Sequence, residues 1–114
     1  MIIKCGWALN LLSKTFKIID IGAMTIKPFI FVREEFSTDA VKMNHEKIHL
    51  AQQKEVGLFK WLKIYLEEYY KFEKTAKKKS DAYYKITFEK EAYANEENLD
   101  YLKTRKPFTW KLYL

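Results

Sequence analysis

The chain has only two histidines, and they stand four residues apart in His45-Glu46-Lys47-Ile48-His49. On a helix, that spacing points both imidazoles the same way, about one turn apart, so both rings can grip a single ion. The glutamate between them lies roughly 100° further round, within reach of a water on the metal's open side. Residues of these types in this pattern suit zinc-assisted hydrolysis. The metal lowers the pKa of its bound water from 15.7 to about 7, and Glu46 accepts the proton.

A catalytic zinc takes three protein ligands and leaves one position for water. With His45 and His49 supplying two and no further histidine in the chain, the third must be a carboxylate or Cys5. Cys5 is disfavoured, since it lies far upstream with no partner and reads better as a small buried thiol. Downstream, the candidates are Glu89, Glu91, Glu96 and Glu97. Glu89 and Glu96 share a helix face, whereas Glu91 points away. Glu89 is favoured because Ala92, one turn later on the same side, lets its helix approach the histidine helix closely.

Here the chain resembles the gluzincin metallopeptidases, whose third ligand is the Glu of a later Glu-x-x-Ala/Ser-Asp motif; Glu89-x-x-Ala92 stands in that place. Within that clan it looks most like the minigluzincins, small soluble domains similar to the catalytic cores of integral-membrane metallopeptidases such as the prenyl-protein proteases. Met43-Asn44-His45-Glu46 through Gln52-Gln53, then Phe88-Glu89-Lys90-Glu91-Ala92-Tyr93, also resemble a set of small bacterial proteins. The likeness covers roughly residues 23 to 105 and is specific only at the two helices. It implies zinc as cofactor, His45, His49 and Glu89 as ligands, Glu46 as general base, and a peptide or protein substrate. The chain departs from the pattern at Tyr93, where the family has an Asp that supports a ligand histidine. Support must then come from Glu96, Asn95 or a backbone carbonyl, and the departure bears on activity more than on metal binding. With both histidines used, an oxyanion donor must be Tyr, Arg or Lys: Tyr83, Tyr84, Tyr93 and Arg105 are the candidates. A hydrogen bond into a strand, or to a supporting carboxylate, would account for Gln52 and Gln53, as would an ordinary place on the helix surface.

These residues need an α+β frame, a small zincin-like domain in which a short sheet packs on a long active-site helix beside a glutamate-bearing helix. Residues 1–22 form an N-terminal segment, weakly helical around Trp7 to Phe16. Ile18 to Val32 reads as strand, with Gly22 and Pro28 as punctuation, and Pro28 pushes residues 23–35 toward a sheet edge. Such an edge could hold an extended substrate. Ser37, Thr38 and Asp39 offer caps for a helix over 40–73, with a bend at Gly57. Val41, His45, His49, Gln52, Val56 and Phe59 share one of its faces. The basic segment with Ser80 and Asp81 reads as a connector, and Thr87 caps a second helix over 88–103. Residues 107–114 form an aromatic tail that either plugs the active-site groove beneath Ile26 to Val32 or completes the core.

Composition sets wider bounds. The 114 residues suffice for one domain, and 48% hydrophobic content with three glycines and two prolines marks a globular chain. One cysteine excludes an internal disulfide. No apolar run of about 18 residues predicts a transmembrane helix, and Met1 to Leu12 lacks a cleavage site and is interrupted by Asn10, so a cytoplasmic location is expected. The net charge of +6 admits peripheral contact with an anionic membrane. The lysine cluster over 74–79 lacks interleaved glycines and aromatics, so no specific nucleic-acid partner is expected. Two classes compete with a peptidase. One is a metal-binding domain of the same fold without turnover; the other is a basic membrane- or nucleic-acid-interaction module.

Overall fold

In the computed structural model the structure describes residues 2–4, 6, 23–27, 29–32, 35 and 38–114. The expected helix around Trp7 to Phe16, the Cys5 thiol, the strand reading over 18–22, the Pro28 punctuation and the Ser37 cap lie outside the described residues. Asp39 caps the helix that follows it: its carboxylate accepts the Lys42 N–H at 3.0 Å, satisfying a donor the first turn would leave orphaned. From there α1 runs over Ala40–Val56.

Gly57 ends this helix rather than bending it. Its φ of 91° is a conformation that other residues rarely hold, and α2 restarts over Leu58–Glu73. The expected single helix over 40–73 is therefore two. Because the helical phase is reset, Phe59 does not share the histidine face; it is 85% exposed. Trp61, Tyr65 and Tyr69, spaced one turn apart, turn inward instead, while Leu66 and Tyr70 face out.

The inward stripe builds the core. Trp61 stacks on Phe88 at 5.2 Å and on Tyr65 at 4.9 Å, and Ala82, Ile86 and Trp110 complete the cluster. Part of the expected connector is helical, because Ala82 finds this core: α3 spans Lys79–Lys85. Helix α4 follows over Thr87–Asn95. Thr87 is its first residue and not its cap. Its N–H and hydroxyl both donate to Glu68 of α2, at 3.0 and 2.8 Å, so the neighbouring helix supplies the capping carboxylate. The expected helix over 88–103 stops at Asn95, and a short α5 over Tyr101–Thr104 stands apart from it.

Among the described residues three short strands complete the fold: β1 (Ile2–Lys4), β2 (Ala23–Ile26) and β3 (Phe29–Val32), in the order β1-β3-β2. β2 and β3 form an antiparallel hairpin with Ile26 opposite Phe29, and β1 lies parallel to β3 with Ile2 opposite Ile30. The edge expected over 23–35 is thus β2 alone. β3 is central, because the N-terminal residues supply a strand that the sequence did not announce. β2 lies along α1.

The chain closes in a 3-10 helix over Thr109–Tyr113. Trp110 is buried with its ring centroid 5.0 Å from that of Phe88, and Asn95 Nδ2 donates to the Tyr113 hydroxyl. The tail therefore completes the core and does not fill a groove beneath the sheet. Among the described residues the architecture is mostly helical with one small sheet, and no helix is long and apolar enough to cross a membrane.

Candidate metal centre

Two polar side chains of α1 fasten it to the glutamate helix, one on either side of the histidines. Upstream, Asn44 Nδ2 donates to the carbonyl oxygens of Glu96 and Asn98, at 2.8 and 3.0 Å, taking up acceptors that the end of α4 leaves free. Downstream, Gln52 Nε2 donates to the Phe88 carbonyl at 3.1 Å and to Glu91 Oε1 at 2.9 Å. Ala92 is fully buried between the helices, the small residue that close approach requires.

Between these fasteners three potential ligand atoms converge. His45 Nε2 and His49 Nε2 each lie 2.9 Å from Glu89 Oε1 and 3.1 Å from one another. An ion bonded at 2.0–2.1 Å in a tetrahedral site needs its ligand atoms about 3.3 Å apart, so the three need open by only a few tenths of an ångström. His45, His49 and Glu89 thus form a buried cluster able to bind a metal ion.

The charges fit each other. Burial works against ionisation of Glu89, but His49 and His45 outweigh it and hold the carboxyl far below its usual range. Burial likewise opposes the charge on His49, and Glu89 overcomes it, raising that imidazole from 6.5 to about 9. Glu46 is buried beside the cluster, and desolvation raises its pKa against the pull of His49 and His45. Thr25 of β2 donates to the Glu46 carbonyl at 3.1 Å, with its hydroxyl 3.4 Å from Glu46 Oε2. The edge strand is thereby set against the glutamate that precedes the second turn.

Each histidine also has something at its far nitrogen. His49 Nδ1 lies 2.9 Å from Gln52 Oε1, and His45 Nδ1 lies 3.6 Å from Glu96 Oε2. Tyr93 brings its ring edge-on to His45, with centroids 4.5 Å apart. At the position where the resembled family has an acidic residue, the chain therefore supplies packing, and Glu96 faces the histidine nitrogen instead.

Tyr83 packs 6.1 Å from Tyr93 and 6.5 Å from Tyr65, and the half-exposed Tyr84 closes on Tyr93 at 4.8 Å. Arg105 is not with them: its guanidinium is committed to Glu55 and Glu91, at 2.8 and 2.6 Å. That geometry takes it out of the expected oxyanion role. Gln53 accepts from the Lys27 N–H at 2.7 Å and donates to the Thr25 carbonyl at 2.8 Å, so it ties α1 to the sheet.

One neighbour of the cluster escaped the sequence reading. The Tyr65 hydroxyl donates to Glu89 Oε2 at 2.7 Å, and burial together with the Glu89 charge raises its pKa well above the ordinary value, which keeps it a donor. The available signal was a tyrosine on the inward stripe between Trp61 and Tyr69, whose hydroxyl must find a partner there.

No family model matches the chain, and comparison with curated proteins and with solved structures gives no match either. The geometry of His45, His49 and Glu89 accordingly stands as a candidate metal site without a family match behind it.

Proposed function

We propose that the chain is a zinc-dependent metallopeptidase of the gluzincin type, acting on a peptide or protein substrate. The observation that carries this reading is the convergence of His45 Nε2, His49 Nε2 and Glu89 Oε1 within 2.9 to 3.1 Å, with Glu46 buried beside them. Two imidazoles and one carboxylate are a ligand set that suits zinc and leaves a position open. A zinc ion held there would polarise a substrate carbonyl and acidify the attacking water. Glu46 would serve as the base for the attacking water and as the donor to the leaving nitrogen. Tyr65 holds the outer oxygen of Glu89, leaving Oε1 directed at the histidines. Tyr93, edge-on to His45, and Tyr83, packed on Tyr93, are the candidates to donate to a developing oxyanion.

A second reading, a metal-binding domain of this fold without turnover, draws support from burial. His45, Glu46, His49 and Glu89 are all nearly closed to solvent, so a substrate needs an opening. The Glu46→Gln variant separates the two, assayed against a library of internally quenched peptides. Gln cannot accept the proton, so the peptidase reading expects retained zinc and cleavage reduced at least about a hundredfold. Undiminished cleavage in the variant sinks the mechanism; no cleavage by the zinc-loaded wild type favours the second reading.

A further inference from the structure

Gln52 and Gln53 are adjacent, both fully buried, and differ in what they hold. Among the described residues Gln53 bonds to the backbone of β2 and its turn. Gln52 stands between a ligand histidine and a buried ion-pair network. Its carbonyl oxygen faces His49 Nδ1 at 2.9 Å and also receives the Trp61 indole N–H at 3.3 Å. Its amide nitrogen is directed by the Phe88 carbonyl and by Glu91 Oε1.

Glu91 is held in turn. Arg105 Nε donates to its Oε2 at 2.6 Å, and the Tyr101 hydroxyl reaches the same oxygen at 2.6 Å. The other side of the guanidinium binds Glu55 of α1 in two contacts of 2.8 and 3.0 Å, and Glu55 also receives the Phe108 N–H. One arginine thus joins the two ligand-bearing helices and fixes the carboxylate that orients Gln52. The amide cannot flip without setting its NH2 group against Trp61 and its oxygen against Glu91. With Gln52 fixed, His49 is held with Nδ1–H toward the amide and Nε2 toward Glu89 and His45. A ligand imidazole whose distal N–H is held keeps its tautomer and its ring orientation.

We infer that Gln52, fixed by Glu91 and Arg105, is the positioning residue for the metal ligand His49, and that Arg105 serves the metal site from behind rather than the substrate from in front. The inference rests on the metal-site reading above.

The test is zinc affinity of the full chain, measured by competition with a chromophoric chelator, alongside the melting temperature of the metal-free protein. Gln52→Met keeps the shape and removes the acceptor, and is expected to weaken zinc about ten- to a hundredfold. Gln53→Met removes an equally buried amide and is expected to lower the melting temperature while leaving zinc affinity within about threefold of wild type. The exchange variant Gln52→Glu with Glu91→Gln restores an acceptor at His49 and a donor between positions 52 and 91, and is expected to return affinity to within about threefold. Wild-type affinity in Gln52→Met, or an equal loss in Gln53→Met, overturns the inference and leaves the metal site standing. If Gln52→Met does not fold, the exchange variant decides, and a tenfold weaker site in that folded protein overturns it. Failure of the wild type to bind zinc removes the metal-site reading and this inference together.

Discussion

Helices α1 and α2 are consecutive, similar in length and separated by one glycine, yet they bury opposite kinds of residue. Beside Met43 and Ile48, α1 buries six polar residues, Asn44, His45, Glu46, His49, Gln52 and Gln53, while α2 buries Trp61 and Tyr69 against Phe88 and Trp110. Burial of polar groups costs free energy unless each finds a partner, and those of α1 find theirs on α4 and on the sheet. α2 gains from aromatic packing, which tolerates more than one arrangement. The difference separates a helix selected for what it positions from a helix that supplies the stability to do so.

That division can be broken from the packing side first. Phe88→Ala removes the ring on which Trp61 and Trp110 both rest, and is expected to cost about 3–5 kcal/mol, read by urea or thermal unfolding. A loss below about 1 kcal/mol would show that the aromatic cluster is not where stability resides.

The polar side answers to pH. With His49 raised from 6.5 to about 9 in the folded metal-free chain, its stabilising contribution is complete below pH 6.5 and is lost as pH rises through about 9. The loss is on the order of 3 kcal/mol. Metal binding requires the neutral imidazole, so zinc affinity is expected to rise across the same window and the loaded protein to hold its stability. Melting temperatures of both forms from pH 6 to 9 check this. Parallel curves would contradict the pairing of His49 with Glu89.

The glycine between the helices carries the smallest effect. A Cβ at position 57 meets nothing within 4 Å, so Gly57→Ala meets only the strain of φ 91°, about 1–2 kcal/mol. No change in melting temperature would mean that the break between α1 and α2 is not fixed by this residue.

The site was far more legible in the sequence than its surroundings. His45, His49 and Glu89 come together as their residue types and helical spacing predict for a metal-binding cluster. The start of α1 was also readable, from Asp39, whereas the expected α+β frame is met only loosely by a mostly helical architecture with a small sheet. Local pattern failed where distant partners decide. Arg105 looked like a candidate oxyanion donor because its acceptors, Glu55 and Glu91, lie 50 and 14 residues away in sequence. Thr87 looked like a cap because Glu68, which does the capping, sits on another helix. Helix α3 was hidden by its lysines, and only Ala82 meeting the core reveals why it forms. β1 is three residues long, too short for any periodicity to show.

On the proposed reading, three residues from two helices hold one metal ion. Zinc content of the purified wild type beside Glu89→Ala and Glu96→Ala tests it most directly. The expected result is about one equivalent in the wild type and in Glu96→Ala, with most of it lost in Glu89→Ala. Full occupancy in Glu89→Ala, or loss in Glu96→Ala instead, would contradict the assignment.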